Sequence, residues 1–148
     1  MPTHLTRKVL MKKLICILLF TMFGSSFAFP QASPYRVVFD ITSKDTLDQK
    51  AVLRWVREIS SENPKAELEV VMYGKGYELV MPEKSTFISE INEEMKNPNV
   101  SFKVCQIAMR NNKITKDQLL PGVGTVPDGI FEIISKQREE WGYIKVVH

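Results

Sequence analysis

Histidine and cysteine are scarce in this chain, which has two of each among its 148 residues. His4 and Cys16 lie close to the N-terminus, and His148 is the last residue. The rest of the chain therefore has one thiol, Cys105, and no imidazole. These absences exclude a Ser-His-Asp or Cys-His catalytic system within the fold, a histidine-based zinc site and a C-x-x-C redox pair.

Sequence motifs that bind phosphate are missing as well. The chain has no Walker A sequence. The tripeptides at 74–76 and 122–124, Gly-Lys-Gly and Gly-Val-Gly, each lack the third glycine of a dinucleotide-binding fingerprint. Loop geometry is the simpler use of both tripeptides, and we predict that the protein uses no cofactor.

The residues that are present are typical of one globular domain. Hydrophobic residues make up 44% of the chain, charged residues 25% and aromatic residues 9%. These fractions exclude a disordered, collagen-like or disulfide-dense protein. A length of 148 residues suits a single core.

The N-terminal segment has the order of a secretory signal peptide. An apolar run at residues 14–23 follows basic residues and precedes small ones, among which Ser26 and Ala28 suit cleavage after Ala28. This run is well short of the roughly 20 residues that a membrane-spanning helix needs, so we predict no stable membrane anchor. We predict a cleaved signal peptide over residues 1–28 and a periplasmic or secreted protein, with a short buried helix as the alternative. Met1 or Met11 is the initiator.

The net charge of +3 would ordinarily suggest an anionic partner such as nucleic acid or a membrane surface. Four of the 20 basic residues and none of the 17 acidic ones lie in residues 1–28. Cleavage would leave 16 basic and 17 acidic residues, a net charge of −1. The basic character thus belongs to the export signal, and we predict that the protein does not bind nucleic acid.

Strand and helix patterns alternate along the remainder of the chain, which we interpret as one domain over residues 34–148. Strands are predicted at 35–41, 67–73, 100–104, 122–126 and 143–147, and helices at 47–61, 87–95, 106–112 and 130–141. This alternation indicates an α/β domain with a mainly parallel sheet of about five strands and helices on both faces. The acidic first half of the second strand predicts a position near a sheet edge.

Each of the two tryptophans belongs to an apolar stripe of a predicted helix. Trp55 lies in the first helix, for which Asp45 or Thr46 is the predicted N-cap. The last helix is marked by Ile130, Phe131, Ile134 and Trp141. Both stripes are predicted to be core or subunit interface.

Cys105 directly follows the third predicted strand and precedes a predicted helix. Ligands of parallel α/β folds bind at the edge where the strands end, and a helix N-terminus favours the thiolate form of cysteine. Lys103, Arg110 and Lys113 are close enough in sequence to add to this effect. The alternative is that Cys105 is a small buried hydrophobic residue. An unpaired thiol in an oxidising compartment is a liability unless it is buried or used, which favours a functional role.

Four segments make up most of the chain after residue 34. They are YRVVFDI, ELEVVMYGKG, VSFKVCQIAMRNNKI and LLPGVGTVPDGIFEIISKQREEWGYIKV. Their most specific parts are a strand that ends in cysteine before a short basic helix, and a PGV…VP…G loop that leads into a helix with a terminal aromatic-Gly-Tyr. In this order the segments resemble the DsrE/DsrF family, particularly its exported members.

The resemblance implies a Rossmann-like three-layer sandwich that assembles into trimers or hexamers. In the sulfur-relay members, the cysteine at the position of Cys105 accepts sulfane sulfur as a persulfide and passes it to a partner protein. This implies a sulfur carrier or sulfurtransferase-like protein with sulfur donor and acceptor proteins as partners. One alternative is a non-catalytic oligomer of the cell envelope that binds a small ligand or partner, with Cys105 structural. Another is an intermolecular disulfide through Cys105.

Other residues near this edge are weaker candidates for binding. Gly74 and Gly76 would let a ligand approach the backbone, although a tight turn explains them more simply. Arg110 is a candidate for holding an anionic sulfur species, unless it belongs to a solvated helix face. Asp40 is expected to accept hydrogen bonds from loop N–H groups or to stay solvated. Met109 and the thiol are too few for a Cu(I) site, so we predict no metal site.

Overall fold

The computed structural model of the protein describes residues 34–147, so the expected signal peptide at 1–28 lies outside the described residues. The strands are β1 (Arg36–Ile41), β2 (Glu67–Met72), β3 (Val100–Cys105), β4 (Gly124–Val126) and β5 (Gly142–Lys145). The α-helices are α1 (Thr46–Glu62), α2 (Ile88–Glu94), α3 (Gln106–Asn111) and α4 (Gly129–Arg138). Short 3-10 helices cover Gly76–Val80, for which the sequence made no prediction, and Lys116–Gln118.

The five strands form one sheet in the order β4-β3-β2-β1-β5, and every neighbouring pair is parallel. Parallel strands need crossover connections, which the intervening helices supply. The structure thus confirms the predicted α/β, Rossmann-like arrangement with helices on both faces. Because all strands run in one direction, their carboxyl ends meet along one edge of the sheet.

The predicted edge position of the second strand is wrong, because β2 lies in the centre of the sheet between β3 and β1. Glu69, in its acidic half, is only 2% exposed. Its carboxylate forms ion pairs with Lys103 Nζ at 2.8 Å and with Lys136 Nζ at 3.6 Å. A buried charge is tolerated when it is paired in this way, so the acidic residues of β2 did not require an edge.

The two faces of the sheet differ in how much apolar surface they bury. One face packs against α1, α2 and the 3-10 helix Gly76–Val80, and its large core includes Phe39 and Phe102. On the face that α4 covers, the buried apolar cluster of the described chain consists of Val38, Val71 and Ile133. The helix α4 therefore sits on a sheet face with little apolar surface.

The last helix is shorter than predicted, and it turns a different side to the sheet. It ends at Arg138, so Trp141 lies beyond it. Ile130, Phe131 and Ile134 are 56%, 62% and 42% exposed, whereas their neighbour Ile133 is buried. The core interpretation of these three exposed residues is wrong within a single chain, and the interface interpretation stays a prediction.

The first helix confirms the predicted N-cap, since Asp45 Oδ1 accepts a hydrogen bond from Leu47 N at 2.7 Å. Trp55 of this helix lies against the core, as the core interpretation predicted, and its ring stacks with that of Phe39, whereas Leu47 at the start of the stripe is 59% exposed. Among the described residues, no helix is long and apolar enough to cross a lipid bilayer.

Candidate functional site

Cys105 lies at the carboxyl edge of the sheet, where the sequence predicted it. It is the last residue of β3 and the N-cap residue of α3, with extended backbone angles of φ −66° and ψ 121°. The chain changes from strand to helix at this residue, which brings the thiol close to the first turn of α3. Only 4% of the residue is exposed.

A second helix also points its N-terminus at the thiol, and the sequence analysis missed it. The backbone N–H of Gly129, the first residue of α4, donates a hydrogen bond to Cys105 Sγ at 3.2 Å. The side chain of Asp128 caps the same helix by accepting from Ile130 N and Phe131 N. The signal in the sequence is the dipeptide Asp128-Gly129, since aspartate is a favoured N-cap residue. Sγ therefore lies at the start of α4 and accepts a hydrogen bond from its first backbone N–H.

The thiol borders a cavity of ≈ 250 Å³. The cavity is lined by Tyr73, Gly74, Cys105, Ile107, Ala108, Asn111, Asn112, Asp128 and Ile130. These residues come from the ends of β2 and β3, from α3 and from the start of α4. The wall thus combines apolar side chains with the amides of two asparagines.

Of the three predicted binding residues, one lines the Cys105 cavity and two do not. Gly74 lines the cavity together with Cys105. Arg110 lines a different cavity of ≈ 340 Å³, beside Met109 and Thr115. Gly76 does not belong to the lining of the Cys105 cavity either. A binding role for each of these three candidates stays a prediction.

The two glycines after β2 are explained by the local backbone. Gly74 has φ +57°, a left-handed conformation that favours glycine. A Cβ added at Gly76 would lie 2.1 Å from the carbonyl oxygen of Ile41, because the backbone of residue 76 packs directly on the end of β1. Both glycines allow the loop after β2 to return close to β1, as the tight-turn interpretation expected.

Asp40 was expected to accept hydrogen bonds from loop N–H groups or to stay solvated, and both expectations are wrong. Its carboxylate is buried, and Oδ2 accepts hydrogen bonds from the hydroxyls of Tyr73 at 3.2 Å and Tyr143 at 2.7 Å. Burial and then these interactions with Asp40 raise the pKa of both tyrosines, and that of Tyr143 reaches about 12. Since Tyr73 also lines the Cys105 cavity, the tyrosine pair ties the cavity wall to β1 and β5.

Tyr143 gives the protein an alkaline instability that can be measured. Its folded pKa of about 12 lies above the ordinary value of 10.0, so the protonated hydroxyl stabilises the fold below pH 10. This contribution is lost as the pH rises through 12. We expect the free energy of unfolding to fall more steeply over this window in the wild type than in Tyr143→Phe, as measured by urea unfolding. Tyr35→Phe, at an exposed tyrosine, should follow the wild type, and identical slopes for all three proteins would contradict the prediction.

Four charged residues lie between α4 and the sheet, and we call them the charged cluster: Glu69 and Lys103 from the sheet, and Glu132 and Lys136 from α4. Besides its contact with Glu69, Lys103 Nζ lies 3.1 Å from Glu132 Oε1. Lys136 Nζ completes the cluster at 4.0 Å from the same carboxylate oxygen and lies 4.4 Å from the centroid of the Trp141 ring. The cluster thus links β2 and β3 to α4.

The pKa values within the charged cluster reflect burial and pairing. Burial is the largest influence on the pKa of Glu69 and raises it, and the hydrogen bond from Lys103 only partly offsets this effect. Burial would lower the pKa of Lys103, but its bonds to the two carboxylates raise it overall. Burial would raise the pKa of Glu132, but hydrogen bonding to Glu69 and the nearby ammonium groups lower it. The ammonium of Lys103 is therefore engaged by carboxylates rather than by the thiol.

No group of three or more histidine, cysteine, aspartate or glutamate residues within residues 34–147 is arranged to hold a metal ion.

Residues 36–146 match the family model described as the DsrE/DsrF-like family. This chain belongs to that family. The match covers all five strands and α1 to α4, so it includes both sides of the Cys105 cavity. The comparison with curated proteins gives no match.

Two solved structures have the same fold as this DsrE/DsrF-like protein. The protein of unknown function MTH1491 from Methanobacterium thermoautotrophicum is 30% identical with a TM-score of 0.70, over 75% of this chain and 98% of that chain. The ychN protein from E. coli is 13% identical with a TM-score of 0.58, over 76% of this chain and 98% of that chain. The likeness to ychN supports the fold alone.

Proposed function

We propose that this protein is a sulfur carrier in which Cys105 accepts sulfane sulfur as a persulfide. The observation that carries the proposal is that Cys105, in a DsrE/DsrF-like chain, borders a cavity while its Sγ accepts the Gly129 N–H at 3.2 Å. Hydrogen bonds to a charged sulfur are stronger than those to a neutral one, so this arrangement favours the thiolate. The thiolate is the nucleophilic form of cysteine.

In the proposed reaction, the Cys105 thiolate attacks the outer sulfur of a donor persulfide, R–S–SH. A bond forms between Sγ and the outer sulfur while the donor S–S bond breaks, and its electron pair leaves with the thiolate R–S⁻. The product is Cys105–S–SH, and the proton stays on the transferred sulfur. Delivery is the same step with an acceptor thiolate as the nucleophile. Neither step requires an external oxidant or reductant.

The proposal includes partner proteins. Ile107 and Ile130 line the cavity, and both are exposed on its rim, with Phe131 and Ile134 extending the apolar surface along α4. Exposed apolar surface of this kind marks sites of protein contact. It supports a homo-oligomer and the docking of sulfur donor and acceptor proteins, and the resemblance to the DsrE/DsrF family implies that the oligomer is a trimer or hexamer. Export through a signal peptide at 1–28 is part of the same proposal and is supported by the N-terminal sequence.

A packing role for Cys105 in a binding module is the second candidate function. The observation that favours it is the low exposure of the residue, since buried free cysteines commonly act as small hydrophobic side chains. In this case the cavity would bind a small ligand without covalent chemistry.

Sulfur uptake tests the proposal. The protein lacking residues 1–28 is incubated with a low-molecular-weight persulfide and its intact mass is measured before and after reduction. We expect a gain of one sulfur atom that reduction removes, and no gain for Cys105→Ser. The same gain in Cys105→Ser, or none in the wild type, would contradict sulfur carriage by Cys105.

Alkylation of the folded protein separates the two candidate functions. A reactive carrier thiol should be labelled by a small alkylating reagent many times faster than the unfolded protein is formed, whereas a packed thiol should react only as the chain unfolds. Labelling of native protein at the rate of unfolding would favour the packing role.

A further inference from the structure

The charged cluster lies outside the Cys105 cavity, yet it joins the two elements that hold the thiol. Lys103 and Cys105 are two residues apart on β3 and so lie on the same face of the strand. Glu132 follows Gly129 by three residues, about one turn of α4. The ion pair between Lys103 and Glu132, at 3.1 Å, therefore runs beside the hydrogen bond from Gly129 N to Cys105 Sγ.

We propose that Lys103 and Glu132 are positioning residues that hold the first turn of α4 against β3 and so keep the Gly129 N–H on Cys105 Sγ. The significance of this hydrogen bond for sulfur transfer rests on the function proposed above. The positioning itself is a property of the fold and can be tested separately.

The balance of forces on this sheet face supports the positioning role. The apolar cluster under α4 has three buried residues in the described chain, with Tyr73 and Trp141 partly buried against it, so this helix has a much smaller apolar contact than the opposite face of the sheet. Glu69 is buried beneath the helix, and Lys103 bridges it to Glu132. Moving α4 away would separate Glu132 from Lys103 and Lys136 from Glu69, and only the pair of Lys103 with Glu69 within the sheet would remain.

The start of α4 packs closely against the sheet, so the hydrogen bond from Gly129 N to Cys105 Sγ depends on the ion pair between Lys103 and Glu132. A Cβ added at Gly129 would lie 3.2 Å from Cys105 Cβ and 3.3 Å from Val71 Cγ1, so the helix start is already in tight contact with the sheet. The hydrogen bond joins Gly129 N to Cys105 Sγ directly at 3.2 Å, so a shift of the helix start away from β3 lengthens and weakens it. Loss of the ion pair between Lys103 and Glu132 should therefore weaken the hydrogen bond that Cys105 Sγ accepts.

The pH profile of Cys105 alkylation tests the proposal with two variants. Lys103→Met keeps an apolar stem and removes the charge, and Glu132→Gln leaves the contact between Lys103 and Glu69 in place. We expect the half-maximal pH of alkylation to rise in both variants, because a hydrogen bond to the charged sulfur is lost. The ionisable side chains that line the cavity with the thiol, Tyr73 and Asp128, are unchanged in both variants.

Lys96→Met is the matched control, because Lys96 forms an ion pair with Glu93 on the surface, away from the cavity. It should have the wild-type profile. If Lys103→Met fails to fold, Glu132→Gln decides the question. A wild-type profile for a folded Glu132→Gln protein would overturn the positioning role.

The sulfur-uptake assay keeps this result distinct from the proposed function. A shifted alkylation profile in the variants, together with no sulfur uptake by the wild type, would support positioning and contradict sulfur carriage. Sulfur uptake by the wild type with unshifted profiles would contradict positioning alone.

Discussion

Replacing Gly76 by alanine is expected to lower the free energy of unfolding by roughly 3–5 kcal/mol, which is a large part of the stability of a typical domain. The added Cβ would lie 2.1 Å from the carbonyl oxygen of Ile41 and 2.8 Å from its carbonyl carbon. Both are backbone atoms at the end of β1, so no side-chain rotation relieves the overlap. The end of β1 or the loop after β2 must move.

Urea unfolding of Gly76→Ala beside Gly124→Ala measures this effect. Gly124 is the matched control, because its added Cβ would meet Lys103 Cγ at 3.6 Å and Phe102 O at 3.7 Å, which are ordinary contacts. We expect Gly124→Ala to change stability by less than about 1 kcal/mol. Equal stability of the two variants would contradict the close packing of residue 76 on the end of β1.

Replacing Phe39 by alanine is expected to cost about 3–5 kcal/mol, the usual range for deleting a buried aromatic ring. Phe39 lies in the larger core with no exposed surface, and its ring stacks on that of Trp55 at a centroid distance of 6.5 Å. The same substitution at Phe131, which is 62% exposed on α4, should change the free energy of unfolding by less than about 0.5 kcal/mol.

Denaturant unfolding of Phe39→Ala and Phe131→Ala compares a core position with the exposed side of α4. Sedimentation of Phe131→Ala should be measured alongside, since an interface residue affects assembly rather than the stability of one chain. A loss at Phe131 as large as that at Phe39, with sedimentation unchanged, would contradict the exposure of this side of α4.

The order of strands and helices and the place of Cys105 were predictable from local patterns. The consecutive apolar residues of β1 reflect a strand that is covered on both faces, and the alternation in β3 reflects the two-residue period of a strand. Cys105 was placed correctly because its position depends only on where β3 ends and α3 begins. These features are set by residues that are neighbours in the chain.

The errors arose where distant residues decide the structure. The central position of β2 depends on Lys103 and Lys136, which neutralise Glu69 from β3 and α4. The buried state of Asp40 depends on two tyrosine hydroxyls, one of them 103 residues away. The charged residues of a short segment do not show which distant side chains will pair with them in the folded protein.

The sequence did not predict which side of α4 faces the sheet, and for a related reason it did not predict the contact of α4 with the thiol. Ile133 and Ile134 are adjacent, so the apolar residues of this helix suit two orientations that differ by one residue. The small apolar cluster and the charged cluster select the one with Ile133 inside. The hydrogen bond from Gly129 to Cys105 spans 24 residues and needs that orientation, so the sequence alone did not reveal it.

The state of Cys105 in cells that make the protein tests sulfur carriage most directly. The protein is purified without reductant, its intact mass is measured before and after reduction, and the modified residue is located by peptide fragmentation. We predict a fraction of molecules that are heavier by one sulfur atom, with the sulfur on Cys105 and lost on reduction. Unmodified Cys105 throughout, or the same added sulfur in Cys105→Ser, would contradict it.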